Sequence, residues 1–218
     1  MEEPAVIKIA LLGAWQHRRP GRFVREVAAR TPHVFPSRAY LRARRCLRGE
    51  LAAVLDAEPE RHVELRLAGY SWGAWTLLHM IDALWDRPSR WHRALSRDRL
   101  RIVLGCLDPV DTFRRRVVLP RDSRVEVYAV YQRNGCFRGC PGPSRWFAGD
   151  SIEGATENHD VTLAGRMHPQ QDGVPPEHAP DHIQLGYTGF GDYDRAVADV
   201  LSTGAFRLPA AATLLTQP

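Results

Sequence analysis

Gly69-Tyr70-Ser71-Trp72-Gly73 sets a serine between two glycines, each two residues away. These five residues lie between an apolar run, Val63 to Ala68, and a segment with helical spacing, Ala74 to Trp85. A serine held on a sharp strand-to-helix turn points its hydroxyl into the open above the sheet. Glycines on either side remove side chains that would collide in so tight a turn. The helix behind it aims backbone N–H groups where negative charge develops when the hydroxyl attacks a carbonyl. Types and spacing therefore suit nucleophilic chemistry at Ser71. The plainer alternative is a glycine-rich helix start, with Ser71 as its capping side chain.

A serine hydroxyl is a poor nucleophile until a base takes its proton and a third group orients that base. Arg101 to Cys106 reads as a strand and ends in Leu107-Asp108-Pro109-Val110. An acid just past the carboxyl end of a strand in an open parallel sheet faces the ligand crevice. Asp108 is the favoured orienting acid, with Asp111 as its rival and an Asx turn as the purely structural role. The base must be a histidine later in the chain, and His159, His168, His178 and His182 are available. His182 is favoured, because it follows a proline-rich loop and precedes the last expected helix, with Ile183 and Leu185 to anchor it. His159 lies near the start of an expected strand, where packing is the simpler role.

The elements that must position these residues alternate along the chain. Strands are expected at Val6 to Leu12, His33 to Phe35, Val63 to Ala68, Arg101 to Cys106, Val125 to Val130 and, more weakly, His159 to Ala164. Helices are expected over residues 20–30, 37–57, 74–85 and 191–203, the third with Leu77, Leu78, Ile81 and Leu84 on one face. Short β-rich runs alternating with helices predict an α/β fold with a mostly parallel sheet covered on both faces. Gln132 to Asn158 and Gly165 to Asp181 fit no regular element, and irregular stretches of that length are usually functional or mobile.

Strand, Gly-Tyr-Ser-Trp-Gly elbow and helix, then a strand ending in an acid, then a late histidine before a terminal helix, resembles the α/β-hydrolase superfamily. The chain order Ser, Asp, His is that family's order. Leu107-Asp108-Pro109 is similar to the turn that carries the acid in pancreatic-type lipases. In outline the resemblance spans residues 5–203, while its specific motifs are the elbow and the Leu-Asp-Pro turn alone. It implies a three-layer fold without a large cap domain and an esterase or lipase mechanism through an acyl-serine. It also implies an oxyanion hole, with the backbone N–H of Trp72 as one donor. The other would come from Gly13-Ala14-Trp15-Gln16-His17, with Ala14 favoured over Trp15. This loop departs from the family in lacking both a His-Gly motif and a run of glycines. Trp15, Tyr70, Trp75 and Trp146 are expected to line a pocket for an apolar acyl group, with helix–loop packing as the alternative.

Composition bounds these readings. The chain has 218 residues, 44% apolar and 25% charged, the balance of a soluble globular protein long enough to bury a core without disulfides or metal. One domain is expected over residues 1–207, with a patternless tail, 208–218, loosely held. Of 30 basic residues only Lys8 is a lysine, and the net charge is +5. Arg114-Arg115-Arg116 and the looser set Arg42, Arg44, Arg45 and Arg48 read as solvated faces. Nucleic-acid binding would need a recognisable module or a longer basic stripe, so no nucleic-acid partner is expected. Met1-Glu2-Glu3-Pro4 is acidic where a secretory signal would be basic, and the apolar run after it is broken by Lys8 and too short to span a bilayer. Cytoplasm is the default compartment, although export without a cleaved signal would leave the same sequence, and contact with a lipid surface is compatible with it. Cys136 and Cys140 are two sulfurs, not a four-ligand zinc site, and reduced loop thiols are expected there rather than a local disulfide. Nothing in the sequence points to a metal or an organic cofactor. The favoured substrate is a small-molecule carboxylic ester, with lipid ester or thioester as variants. Two readings compete: an inactive scaffold that binds acyl ligands, and an arginine-driven anion or nucleic-acid binder.

Overall fold

The structure, a computed structural model, describes residues 3–14, 16, 20–110, 119–133, 149–162 and 182–209. Six strands form one sheet: β1 (Ala5–Leu12), β2 (Val34–Pro36), β3 (Val63–Tyr70), β4 (Leu100–Leu107), β5 (Val125–Tyr131) and β6 (Glu157–Asp160). Their order is β2-β1-β3-β4-β5-β6, and every neighbouring pair is parallel. Among the described residues there are four α-helices: α1 (Arg22–Ala28), α2 (Tyr40–Leu55) and α3 (Trp72–Asp86), which connect β1 to β4 in turn, and α4 (Tyr193–Thr203), which follows β6. The helix expected over residues 37–57 opens with a 3-10 turn, Ser37–Ala39, before α2 begins.

Period-two alternation decides which side chains meet which helices. Ile7, Ile9 and Leu11 of β1, Leu65 and Leu67 of β3, and Ile102, Leu104 and Cys106 of β4 share one face. That face is covered by α2 through Leu47, Leu51 and Leu55 and by α3 through Leu77, Leu78 and Ile81. Ala10, Leu12, Ala68, Tyr70, Leu107 and Val130 point the other way, onto Phe23 and Val27 of α1 and Val197 and Leu201 of α4. Each fully buried leucine or isoleucine contributes roughly 1.5–3 kcal/mol. The result is a three-layer α/β sandwich, and among the described residues no cap domain is inserted into it. Leu208, at the start of the tail expected to be loose, packs against the α1/α4 core. No described helix is long and apolar enough to cross a membrane.

The chain runs from β1 outward to β2 and then returns to place β3 on β1's other side. Strand order therefore reverses between β1 and β3, the place where open parallel sheets take ligands beyond the carboxyl ends of their strands. At its borders the sheet is short: β2 has three residues and ends on Pro36, and β6 reads Glu-Asn-His-Asp.

The opposite end of the sheet is charged. Glu64, nearly fully buried, accepts hydrogen bonds from Arg66 Nε at 2.6 Å and Arg101 Nη1 at 2.8 Å. Arg101 also reaches Glu126 at 2.7 Å and the Gly204 carbonyl at 3.3 Å, while Arg66 donates to the Ser202 carbonyl. The two guanidinium groups thus sit at the carboxyl end of α4, where the helix dipole favours positive charge. Burial opposes ionisation of Glu64, but the hydrogen bonds from Arg66 and Arg101 outweigh it and hold the carboxyl below its usual range. A depressed carboxyl stabilises the fold above its unfolded pKa, about 4.3, and loses that contribution as pH falls through the folded value. Glu64→Gln should therefore lower stability by about 1–2 kcal/mol at neutral pH. In urea unfolding followed across pH, the gap between variant and parent should close towards about pH 3.

Candidate active site

The turn between β3 and α3 is forced by close packing. A Cβ on Gly69 would lie 2.5 Å from Ala74 Cα, and one on Gly73 would lie 2.3 Å from the Leu11 carbonyl oxygen. Only glycine at both positions lets α3 start this close to β3 and β1. Between them Ser71 adopts φ 56° and ψ −128°, a conformation that costs on the order of 1–3 kcal/mol for a residue with a side chain. Its N–H still donates to the Leu107 carbonyl at 3.0 Å, and its own carbonyl accepts from Trp75 N–H at 3.2 Å to open α3. Ser71 is fully buried, makes no side-chain capping bond, and its Oγ has no hydrogen-bond partner among the described residues. The capping role is thereby excluded.

On the next strand, Asp108 also has positive φ, 46°, and is fully buried. Its N–H extends the β4–β5 ladder to the Val130 carbonyl at 2.6 Å. Oδ1 accepts from the Gln132 N–H at 3.1 Å, and Oδ2 accepts from Gln132 Nε2 at 2.8 Å. His182 Nδ1 lies 2.5 Å from the same Oδ2. Gly149 closes the other side: a Cβ there would fall 1.9 Å from Asp108 Oδ1. The acid is thus held from three directions, with one oxygen given to the imidazole.

His182 is itself buried, and its ring stacks on Tyr70 with centroids 4.7 Å apart and planes 19° from parallel. Tyr70 Oη donates to the His182 carbonyl at 2.5 Å. Since Tyr70 immediately precedes Ser71, the residue supporting the imidazole is chained to the serine. After His182 the chain forms a π-helical turn, Gln184–Thr188, which packs against α1. Arg22 of α1 anchors the stretch between this turn and α4: it donates to the Gly189 carbonyl at 3.2 Å, pairs with Asp192, and brings Nε to 3.4 Å from Asp194. Burial pushes the Asp194 carboxyl up, and the charge of Arg22 opposes that rise.

The loop after β1 passes over the serine, since a Cβ on Gly13 would come within 3.0 Å of Ser71 Cβ. In it, fully buried Gln16 accepts from the Gly13 N–H at 3.1 Å and donates from Nε2 to the Gly186 carbonyl at 3.2 Å. One amide therefore ties the loop beside Ser71 to the segment carrying His182.

Ser71 and Asp108 thus follow the carboxyl ends of β3 and β4, and His182 lies on Asp108 and on Tyr70, the residue before Ser71. Trp72 is half-buried at the start of α3 and Ala14 half-buried in the loop. His159 is elsewhere, bound to Glu157 at 2.8 Å and stacked on Phe206. Tyr70, expected to line a pocket, is buried beneath the histidine. Trp75, expected there too, packs against the α2/α3 core, edge-on to His79. Asp111, Trp15, Trp146, His168, His178, Cys136 and Cys140 lie outside the described residues. Gln16 and Gln132 were not foreseen. For Gln132 the available signal was a polar residue at the carboxyl end of the strand beside Asp108, whereas a single loop glutamine such as Gln16 gives none. Searches against known protein families and curated proteins find no match for this chain. Gln132→Ala should leave Asp108 short of a buried partner and lower stability by about 1–3 kcal/mol in urea unfolding, with secondary structure by circular dichroism unchanged.

Proposed function

We propose that the chain is a serine hydrolase that cleaves a carboxylic ester through an acyl-serine intermediate. The observation that carries this reading is the strained turn at Ser71 directly after Tyr70, on which stacks an imidazole held by a buried carboxylate 2.5 Å away. In the proposed reaction His182 takes the Ser71 proton through Nε2 as Oγ attacks the ester carbonyl. Asp108 keeps the Nδ1 proton in place and stabilises the imidazolium. The tetrahedral intermediate collapses as His182 returns that proton to the leaving alkoxide, and water then repeats the cycle to release the acid. The backbone N–H of Trp72, at the start of α3, would receive the oxyanion. Gly13 N–H is already committed to Gln16, so the second donor would come from Ala14 or Trp15, with Ala14 favoured. Lipid esters and thioesters fit the same chemistry.

An inactive scaffold that binds acyl ligands is the alternative, favoured by the lack of a hydrogen bond from Ser71 Oγ among the described residues. The anion-binding alternative has less behind it, because Arg22, Arg30, Arg66, Arg101 and Arg124 are each paired with acids of the chain itself. Labelling with a fluorophosphonate and mass mapping tests the proposal. Modification at Ser71, lost in Ser71→Ala, is expected, and Asp108→Asn should slow hydrolysis of activated esters by about 10⁴-fold. A folded protein that binds esters, takes no label and turns none over would establish the scaffold reading instead.

A further inference from the structure

Three metal-ligating side chains converge at the β2 border of the sheet, on different elements from the site above. Cys46 and Glu50 stand one turn apart on α2, and His33 immediately precedes β2. Cys46 Sγ is 3.3 Å from His33 Nδ1, and His33 Nε2 is 3.2 Å from Glu50 Oε1. One donor atom from each residue lies within 4.8 Å of the other two, and all three residues are half-buried. They form the only such group among the described residues.

We propose that His33, Cys46 and Glu50 bind a divalent transition ion of the zinc class, clamping α2 to the border strand. Tetrahedral zinc holds sulfur at about 2.3 Å and nitrogen at about 2.0 Å, which sets its ligand atoms roughly 3.3–3.7 Å apart. The Cys46–His33 Nδ1 separation already meets that spacing, whereas Glu50 sits at the other ring nitrogen, so its partly exposed stem has to rotate to bring a carboxylate oxygen to the Nδ1 side. The donor types select the ion: thiolate and imidazole suit zinc and its neighbours, whereas magnesium and calcium want oxygen alone. Three protein ligands leave the fourth position to water.

On binding, the Cys46 thiol proton leaves to solvent, and the thiolate and the Glu50 carboxylate share the positive charge of the ion.

Cobalt(II) is the probe, because its thiolate complexes absorb by charge transfer in the near ultraviolet. The full chain carrying C136S and C140S removes two of the other thiols, and the third, Cys106, is fully buried. One equivalent of cobalt should produce the band, zinc should abolish it, and both Cys46→Ser and His33→Ala should lack it. Zinc, but not magnesium, should raise the thermal midpoint of the parent and leave that of Cys46→Ser unchanged. Should the double-serine background not fold, the difference spectrum between wild type and Cys46→Ser reads the same site. No band, or one that survives either substitution, overturns the proposal.

Discussion

A backbone turn with positive φ at a serine persists only where its surroundings leave the chain no other course. Here those surroundings are the β1 carbonyls under Gly73 and the first turn of α3 against Gly69. Burial of Leu77, Leu78 and Ile81 under α2 and against the sheet presses α3 onto its seat, so the apolar face of one helix supplies the energy that bends the chain at Ser71. Three further contacts are measured from that point. Tyr70 is fixed as the last residue of β3, His182 stacks on Tyr70, and the loop holding Gln16 crosses Ser71.

Polar groups at this edge of the sheet are buried, so each has to be matched. Asp108 receives both the main-chain and side-chain N–H of Gln132 before it meets His182. Gln16 spends both ends of its amide on neighbouring loops, and Tyr70 spends its hydroxyl on the His182 carbonyl. In a low-dielectric setting such bonds fix geometry more firmly than on the surface, because breaking one exposes an unmatched group rather than admitting water. Four elements distant in sequence are thereby locked at one edge.

Much of this arrangement was legible in the sequence. Strand alternation and helix spacing were regular enough to locate the sheet, because one face of each element must be apolar for three layers to close. Ser71 was legible because a tight turn demands glycines at set distances, and Asp108 because a strand's carboxyl end faces the crevice. What escaped depends on partners far along the chain. Tyr70 looked like a pocket aromatic, since nothing local says that His182 will lie on it. Gln16 meets Gly186 across 170 positions, and the π-helical turn at Gln184–Thr188 leaves no periodic trace in five residues. His33 and Cys46 face each other because β2 and α2 pack side by side, which spacing alone does not reveal.

The two borders of the sheet carry a consequence of their own. Four central strands rich in valine, leucine and isoleucine would be a strong template for pairing with another chain if either flank were open. β2 offers three residues and ends on a proline that lacks an N–H, while β6 presents glutamate, asparagine, histidine and aspartate. A second copy approaching either flank finds too short a ladder or a row of charge. The sheet stops growing where it does because its outermost strands resist aggregation, at the expense of the two least cohesive strands in the fold.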